Sequence, residues 1–229
     1  MQFKFSLLPM IAALGIFVSS CAAKTSGDKL TTEKTDMKKT YTDAEIQQNG
    51  WAKAIFAGGC FWCTEAVFEE VKGVKSVVSG YTGGSMKNPT YQAVITDTTG
   101  HAEAIQIVYD PKECNYETLL NVHMKTHDPT TLNRQGNDEG IQYRSAIFYS
   151  NEEEKKIVEN YIQKLNAEGY YSDPVVTEVS PLETFWPAED YHQDYFAKNP
   201  DQSYCVYVVK KKVDKFEYLF PELVKDEYK

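Results

Sequence analysis

Residues 51–82 read WAKAIFAGGCFWCTEAVFEEVKGVKSVVSGYT, and two changes of hydrophobic period inside this stretch point to the fold. Trp51 to Ala57 is an apolar run of strand length, stopped by Gly58-Gly59. From Cys60 to about Lys72 the apolar residues Phe61, Ala66, Val67, Phe68 and Val71 suit a helix, with Gly73 as its stop. Val74 to Tyr81 returns to strand character and ends at Gly83-Gly84.

Working outward, Ala102 to Tyr109 reads as a third strand closed by Asp110-Pro111. Tyr116 to about Thr126 carries Tyr116, Leu119, Leu120, His123 and Met124 at helical spacing, and Arg144 to Tyr149 is a fourth strand. The order is β-α-β-β-α-β, the split arrangement called ferredoxin-like, so the expected class is a two-layer α+β domain. A further helix from Glu152 to about Glu168, a strand at Val175–Val179 and aromatic-rich irregular segments complete the C-terminal part. No internal repeat is visible.

At 229 residues, 42% hydrophobic and 25% charged, the chain is neither collagen-like, low-complexity nor wholly disordered. Its formal net charge is −9, and residues 51–229 hold 18 basic against 28 acidic side chains. A surface this acidic repels phosphate backbones, so no nucleic-acid partner is expected. Five cysteines are too few for a disulfide scaffold in a chain of this size, so each needs its own explanation.

The N-terminus accounts for one of them. Phe5 to Ala23 is free of charge, and its apolar centre, Leu7 to Val18, includes Pro9. That centre is shorter than the roughly 20 residues a membrane-spanning helix needs and fits the apolar region of a signal peptide. Val18-Ser19-Ser20-Cys21 resembles the lipobox of bacterial lipoproteins. The resemblance implies cleavage before Cys21, lipidation of that cysteine and an extracytoplasmic, membrane-anchored protein. Residues 22–50 combine five lysines with five acidic residues and few large apolar ones, a composition expected to form a tether. The expected organisation is a signal peptide at 1–20, a lipidated cysteine and tether at 21–50, a folded domain at 51–212 and an extension at 213–229.

Within the domain, Gly58-Gly59-Cys60-Phe61-Trp62-Cys63-Thr64-Glu65 places Cys60 between a strand and the first turn of a helix. Unpaired N–H groups and the helix dipole there favour a thiolate, so Cys60 is expected to be a nucleophile with a lowered pKa. Cys63 lies one turn on. Such a C-x-x-C after a strand suits thiol redox chemistry, and general thiol–disulfide exchange is one alternative. Another is a zinc-stabilised binding module, with Cys60 and Cys63 joined by His123 and His127. The 59-residue spacer exceeds a finger's by far, and a core histidine is the commoner reading of His123.

Seven segments in order resemble one family. They are Gly59-Cys60-Phe61-Trp62, Gly80-Tyr81-Thr82-Gly83-Gly84, Asn88-Pro89-Thr90-Tyr91, Gly100-His101-Ala102-Glu103-Ala104, His127-Asp128-Pro129, Arg134-Gln135-Gly136-Asn137-Asp138 and Gln142-Tyr143-Arg144-Ser145. They resemble peptide methionine sulfoxide reductase A, from about residue 53 to Cys205. The resemblance implies that Cys60 attacks the sulfoxide sulfur of a methionine-S-sulfoxide, in proteins or as the free amino acid. Phe61 and Trp62 would hold the methyl group. Glu103 would protonate the departing oxygen, hydroxyls of Tyr91 and Tyr143 would hydrogen-bond it, and Asp138 matches a further polar position.

Strand alternation places Glu103 on a face with Ile105, Ile107 and Tyr109, although on the residues alone a solvated carboxylate at a strand end is an equal reading. Burial there raises a carboxyl pKa and keeps an acid protonated near neutrality. The sulfenic acid left on Cys60 would condense with a second thiol. Cys205 resembles the family's resolving position, with Cys63 its competitor, and Cys114 is read as a spectator. A thioredoxin-like dithiol donor would recycle the enzyme. Neither a metal nor another cofactor is expected. Phe185-Trp186-Pro187 and Tyr191-His192-Gln193-Asp194-Tyr195 also resemble the family, and are expected to support the pocket from behind.

Overall fold

The computed structural model describes residues 38–229. Cys21 and the expected signal peptide lie outside the described residues. In chain order the helices are α1 (Asp43–Asn49), α2 (Phe61–Glu69), α3 (Tyr91–Val94), α4 (Tyr116–Thr126), α5 (Glu152–Glu168), α6 (Tyr195–Lys198) and α7 (Lys210–Leu219). The strands are β1 (Ala52–Gly58), β2 (Val74–Thr82), β3 (Ala102–Tyr109), β4 (Arg134–Gln135), β5 (Asp138–Glu139), β6 (Ser145–Tyr149), β7 (Glu178–Pro181) and β8 (Trp186–Pro187).

Six strands form one sheet in the order β7-β6-β1-β3-β2-β8, and β4 pairs with β5 as a separate ribbon. The central order β6-β1-β3-β2, antiparallel throughout, is that of the ferredoxin-like βαββαβ unit. Side-chain alternation divides the sheet cleanly. Ala54, Phe56, Ile105, Ile107 and Ile147 enter the main core with α2 and α4, whereas Ile55, Ala57, Ala102, Ala104 and Phe148 face a smaller cluster under Leu182 and Phe185. Glu103 falls between Ala102 and Ala104, and so points to the helix-covered face.

Three expectations are corrected. The tether does not extend to residue 50. Thr42 and Glu45 form a reciprocal capping box, Gly50 closes α1 at φ +70°, Ile46 is buried, and Tyr41 packs edge-on against Trp51 at 4.9 Å. The last strand is Glu178–Pro181 in place of Val175–Val179. It pairs in parallel with β6, Ala146 opposite Glu178, so the existing sheet edge decides its register. Residues 213–229 are no separate extension, because α7 runs across the expected boundary. Val213, Phe216, Phe220 and Val224 are buried in the main core, and Val224 pairs with Val71 as an isolated bridge.

Candidate active site

β1 delivers the chain to Gly58-Gly59, and Gly59 turns it at φ +89°. A Cβ at Gly59 would also meet the Gln135 side chain at 2.5 Å, so both backbone and space call for glycine. One residue later Cys60 is the N-cap of α2, 7% exposed. The Phe61 N–H, one of the unpaired donors of the first turn, is taken by Glu103 Oε2 at 3.0 Å. Glu103 is 1% exposed, and burial pushes its carboxyl up to about 8 against the bond from Phe61. Burial thus favours its protonated form near neutrality, the buried one of the two readings the strand pattern leaves open.

Cys60 departs from expectation in its ionisation. Burial raises its thiol well above the ordinary value, and the neighbouring Cys63 and Glu103 act in the same direction. The helix start does not overcome this, so burial favours the protonated thiol in the free site. Cys63, buried one turn along, shifts the opposite way. Its interaction with the Cys60 thiol lowers it to about 7 despite burial, helped by Lys212 and Tyr204. All four cysteines of the described residues are free thiols. Cys205 begins a π-helical turn leading into α7, is fully buried, and is raised first by burial and then by the charge of Cys63. Cys60 therefore interacts with Cys63, and Cys63 with Cys205. Burial pushes Cys114 up to about 11, consistent with a spectator.

Tyr91 on α3 and Tyr143, which follows the β4–β5 ribbon, converge on the same place. Burial and the charges of Glu103 and Cys60 raise both phenols, Tyr91 to about 12. They remain neutral hydroxyls able to donate to an oxygen. Asp138 on β5 accepts the Tyr204 hydroxyl at 2.5 Å, and that hydroxyl lies 3.9 Å from the Cys63 sulfur. Tyr204 is a site residue that no local sequence signal marks, next to Cys205.

Phe61 and Trp62 form an aromatic wall. Phe61 is buried against Tyr81 and His192, whereas Trp62 is half-buried. The Trp62 indole N–H donates to His192 Nδ1 at 3.1 Å, and its ring lies parallel to Tyr195 at 3.6 Å. Gln193 fixes this segment to the sheet by accepting from Ser79 N–H and donating to the Ser79 and Ala188 carbonyls. Glu189 accepts both the Tyr81 hydroxyl and the Tyr91 N–H. Support from behind, expected of residues 191–195, is where the structure puts them.

The zinc reading fails on geometry. Among the described residues the only group of three or more possible ligands within 4.8 Å of one another is Glu65, Glu69 and Asp194. His127 is engaged with the His123 carbonyl at 2.6 Å and Ser145 Oγ at 2.7 Å, and His123 stacks on Phe56 inside the core. These are core histidines.

A family model described as peptide methionine sulfoxide reductase matches residues 52–223. The chain is 56% identical to peptide methionine sulfoxide reductase MsrA 1 of Rhodopirellula baltica over 172 residues, covering 75% of this chain and 88% of that protein. It is 54% identical to the MsrA of Saccharolobus solfataricus over 172 residues, or 75% and 96% of the two chains. Among solved structures, methionine sulfoxide reductase A of Corynebacterium diphtheriae aligns with a TM-score of 0.60 at 39% identity, covering 66% of this chain and 76% of that one. Reduced Mxr1 of Saccharomyces cerevisiae aligns at 0.64 and 29% identity, covering 72% and 92%. With the matched region spanning the whole sheet and every residue of the Cys60 site, the chain belongs to the peptide methionine sulfoxide reductase family of oxidoreductases.

Proposed function

We propose that this chain reduces the S epimer of methionine sulfoxide, in proteins and as the free amino acid, by the following route. The sulfoxide methyl rests against Phe61 and Trp62, and its oxygen faces Glu103, Tyr91 and Tyr143. Cys60 sulfur attacks the sulfoxide sulfur while Glu103 gives its proton to the oxygen and the two phenols hydrogen-bond it. Oxygen passes to Cys60 as a sulfenic acid and methionine leaves, with the thiol proton restoring Glu103. The Cys63 thiol then attacks the sulfenic sulfur, water departs, and a Cys60–Cys63 disulfide forms. Two electrons and two protons from a thioredoxin-like dithiol donor return both thiols.

The observation that carries this reading is the buried, neutral Glu103 bonded to the first N–H of the helix that Cys60 caps. Cys63 is preferred over Cys205 as the resolving thiol because its side chain interacts with Cys60 and is the more readily ionised of the pair. A cavity lined by Asp138, Tyr204, Val208 and Lys212 offers a donor an approach to that side. The lipobox supports anchoring through Cys21, hence an extracytoplasmic donor.

The test is turnover by the full chain with dithiothreitol and the separate S and R epimers of a methionine sulfoxide peptide, alongside Cys60→Ser. Turnover of the S epimer alone, abolished in the variant, is expected. A folded protein that reduced neither epimer would overturn the reading.

A further inference from the structure

Beside the catalytic helix, three carboxylates surround one ammonium. Lys38 Nζ lies 2.5 Å from Glu65 Oε1, 2.6 Å from Glu69 Oε1 and 2.7 Å from Asp194 Oδ1. The Lys38 side chain is 10% exposed and Glu65 only 1%. Burial alone would depress the ammonium, but Glu65 and Glu69 more than offset this and keep it charged. Other cations touch only the margin: Lys198 approaches Asp194 at 3.4 Å, and Lys225 Nζ donates to the Glu69 carbonyl at 2.6 Å. The group of carboxylates that could have caged a metal ion is occupied by a lysine from the N-terminal arm.

Its position connects two parts of the site. Glu65 and Glu69 belong to α2, the helix that carries Cys60, Phe61, Trp62 and Cys63. Asp194, held at φ +54°, lies between Gln193, bonded to the sheet, and Tyr195, stacked on Trp62. Two residues before Asp194, His192 accepts the Trp62 indole N–H. Trp62 is thus clamped between its own helix and the 192–195 segment, and Lys38 bridges that helix to that segment.

We propose that Lys38 is a positioning residue for the sulfoxide pocket, its ammonium tying the catalytic helix to the segment that holds Trp62. The inference rests on the reductase reading above for its kinetic test, but the bridge itself has a readout independent of activity. Loss of the bridge loosens the methyl-binding wall without touching the reacting atoms, so it acts on KM before kcat.

Lys38→Met keeps the buried stem and deletes the charge. In the full-length protein it is expected to raise KM for an S-sulfoxide peptide on the order of tenfold with kcat within about twofold. The indole N–H resonance of Trp62 should shift in a ¹H–¹⁵N spectrum as its bond to His192 relaxes. Lys38→Ala leaves a space, and ethylammonium should restore KM there while leaving the wild type unchanged. Lys38→Met/Glu65→Gln, which lowers the uncompensated charge, keeps the question open to measurement if the single variant folds poorly, and its KM should remain raised. A wild-type KM in Lys38→Met, an unmoved Trp62 resonance, failure of the ammonium to restore KM, or a wild-type KM in the double variant would overturn the proposal. An inactive wild-type protein with a shifting Trp62 resonance would instead count against the reductase reading.

Discussion

Glu103 Oε2 accepts the backbone N–H of Phe61 at 3.0 Å, joining residues 42 positions apart in sequence. The bond fixes the acid to the first turn of the helix that Cys60 caps. It also partly offsets the burial that would otherwise raise the carboxyl further. The proposed acid and nucleophile are therefore positioned by one piece of backbone.

The pH dependence follows from that carboxyl. With its pKa pushed up to about 8, Glu103, the proposed acid, holds its proton below that value and loses it above. The methionine-forming step should slow as pH rises through about 8. Glu103→Gln, unable to donate an acidic proton, should cost about 10²–10⁴-fold in single-turnover rate at pH 7. Stability follows the same sign. A group raised in the folded state favours folding fully below its ordinary value of 4.5, and that contribution is lost as pH rises through about 8. Glu103→Gln should flatten the urea-unfolding stability across this window; an unchanged slope would contradict the assignment.

The sheet was legible because its strands announce themselves locally. Ala102 to Tyr109 alternates between two buried faces, and Trp51 to Ala57 stops at a glycine pair that the turn requires. What escaped depends on partners distant in sequence. Residues 38–50 are polar enough to pass for tether, and they are held by Lys38 reaching acids 27 and 31 residues away. Tyr204 becomes a site residue only through Asp138, 66 positions earlier. The edge strand takes its place from the register of β6 and not from its own apolar residues. The lowered pKa expected of Cys60 from its helix start gave way to burial, which no local pattern measures.

Gln193 offers a stability test outside the reacting groups. Its amide satisfies the Ser79 N–H and bonds the Ser79 and Ala188 carbonyls in a buried setting. Gln193→Ala leaves that N–H unpaired and should lower unfolding free energy by about 1–3 kcal/mol in urea titration. Because Gln193 adjoins His192, KM should rise as well. Wild-type stability would show that water replaces the amide at no cost.

Anchoring is tested at Cys21. Cys21→Ala should move the protein from the membrane fraction to the soluble one, leaving sulfoxide reduction with dithiothreitol intact. Unchanged membrane association would remove the lipidated-cysteine proposal.

The order of the thiols makes the last prediction. Cys63 interacts with Cys60 and is lowered to about 7, whereas Cys205 is raised and its nearest thiol influence is Cys63. On the proposed route, a sulfenic acid on Cys60 therefore meets Cys63 first. Cys63→Ser should release one methionine per enzyme and then stall when a thioredoxin-like dithiol is the only reductant. Cys205→Ser should continue to cycle. In the wild type, disulfide formation after a single turnover should accelerate as pH rises, because the thiolate of Cys63 is the attacking form. Full cycling by Cys63→Ser together with arrest of Cys205→Ser would transfer the resolving role to Cys205, and would require the π-helical turn that carries it to move toward Cys60 during catalysis.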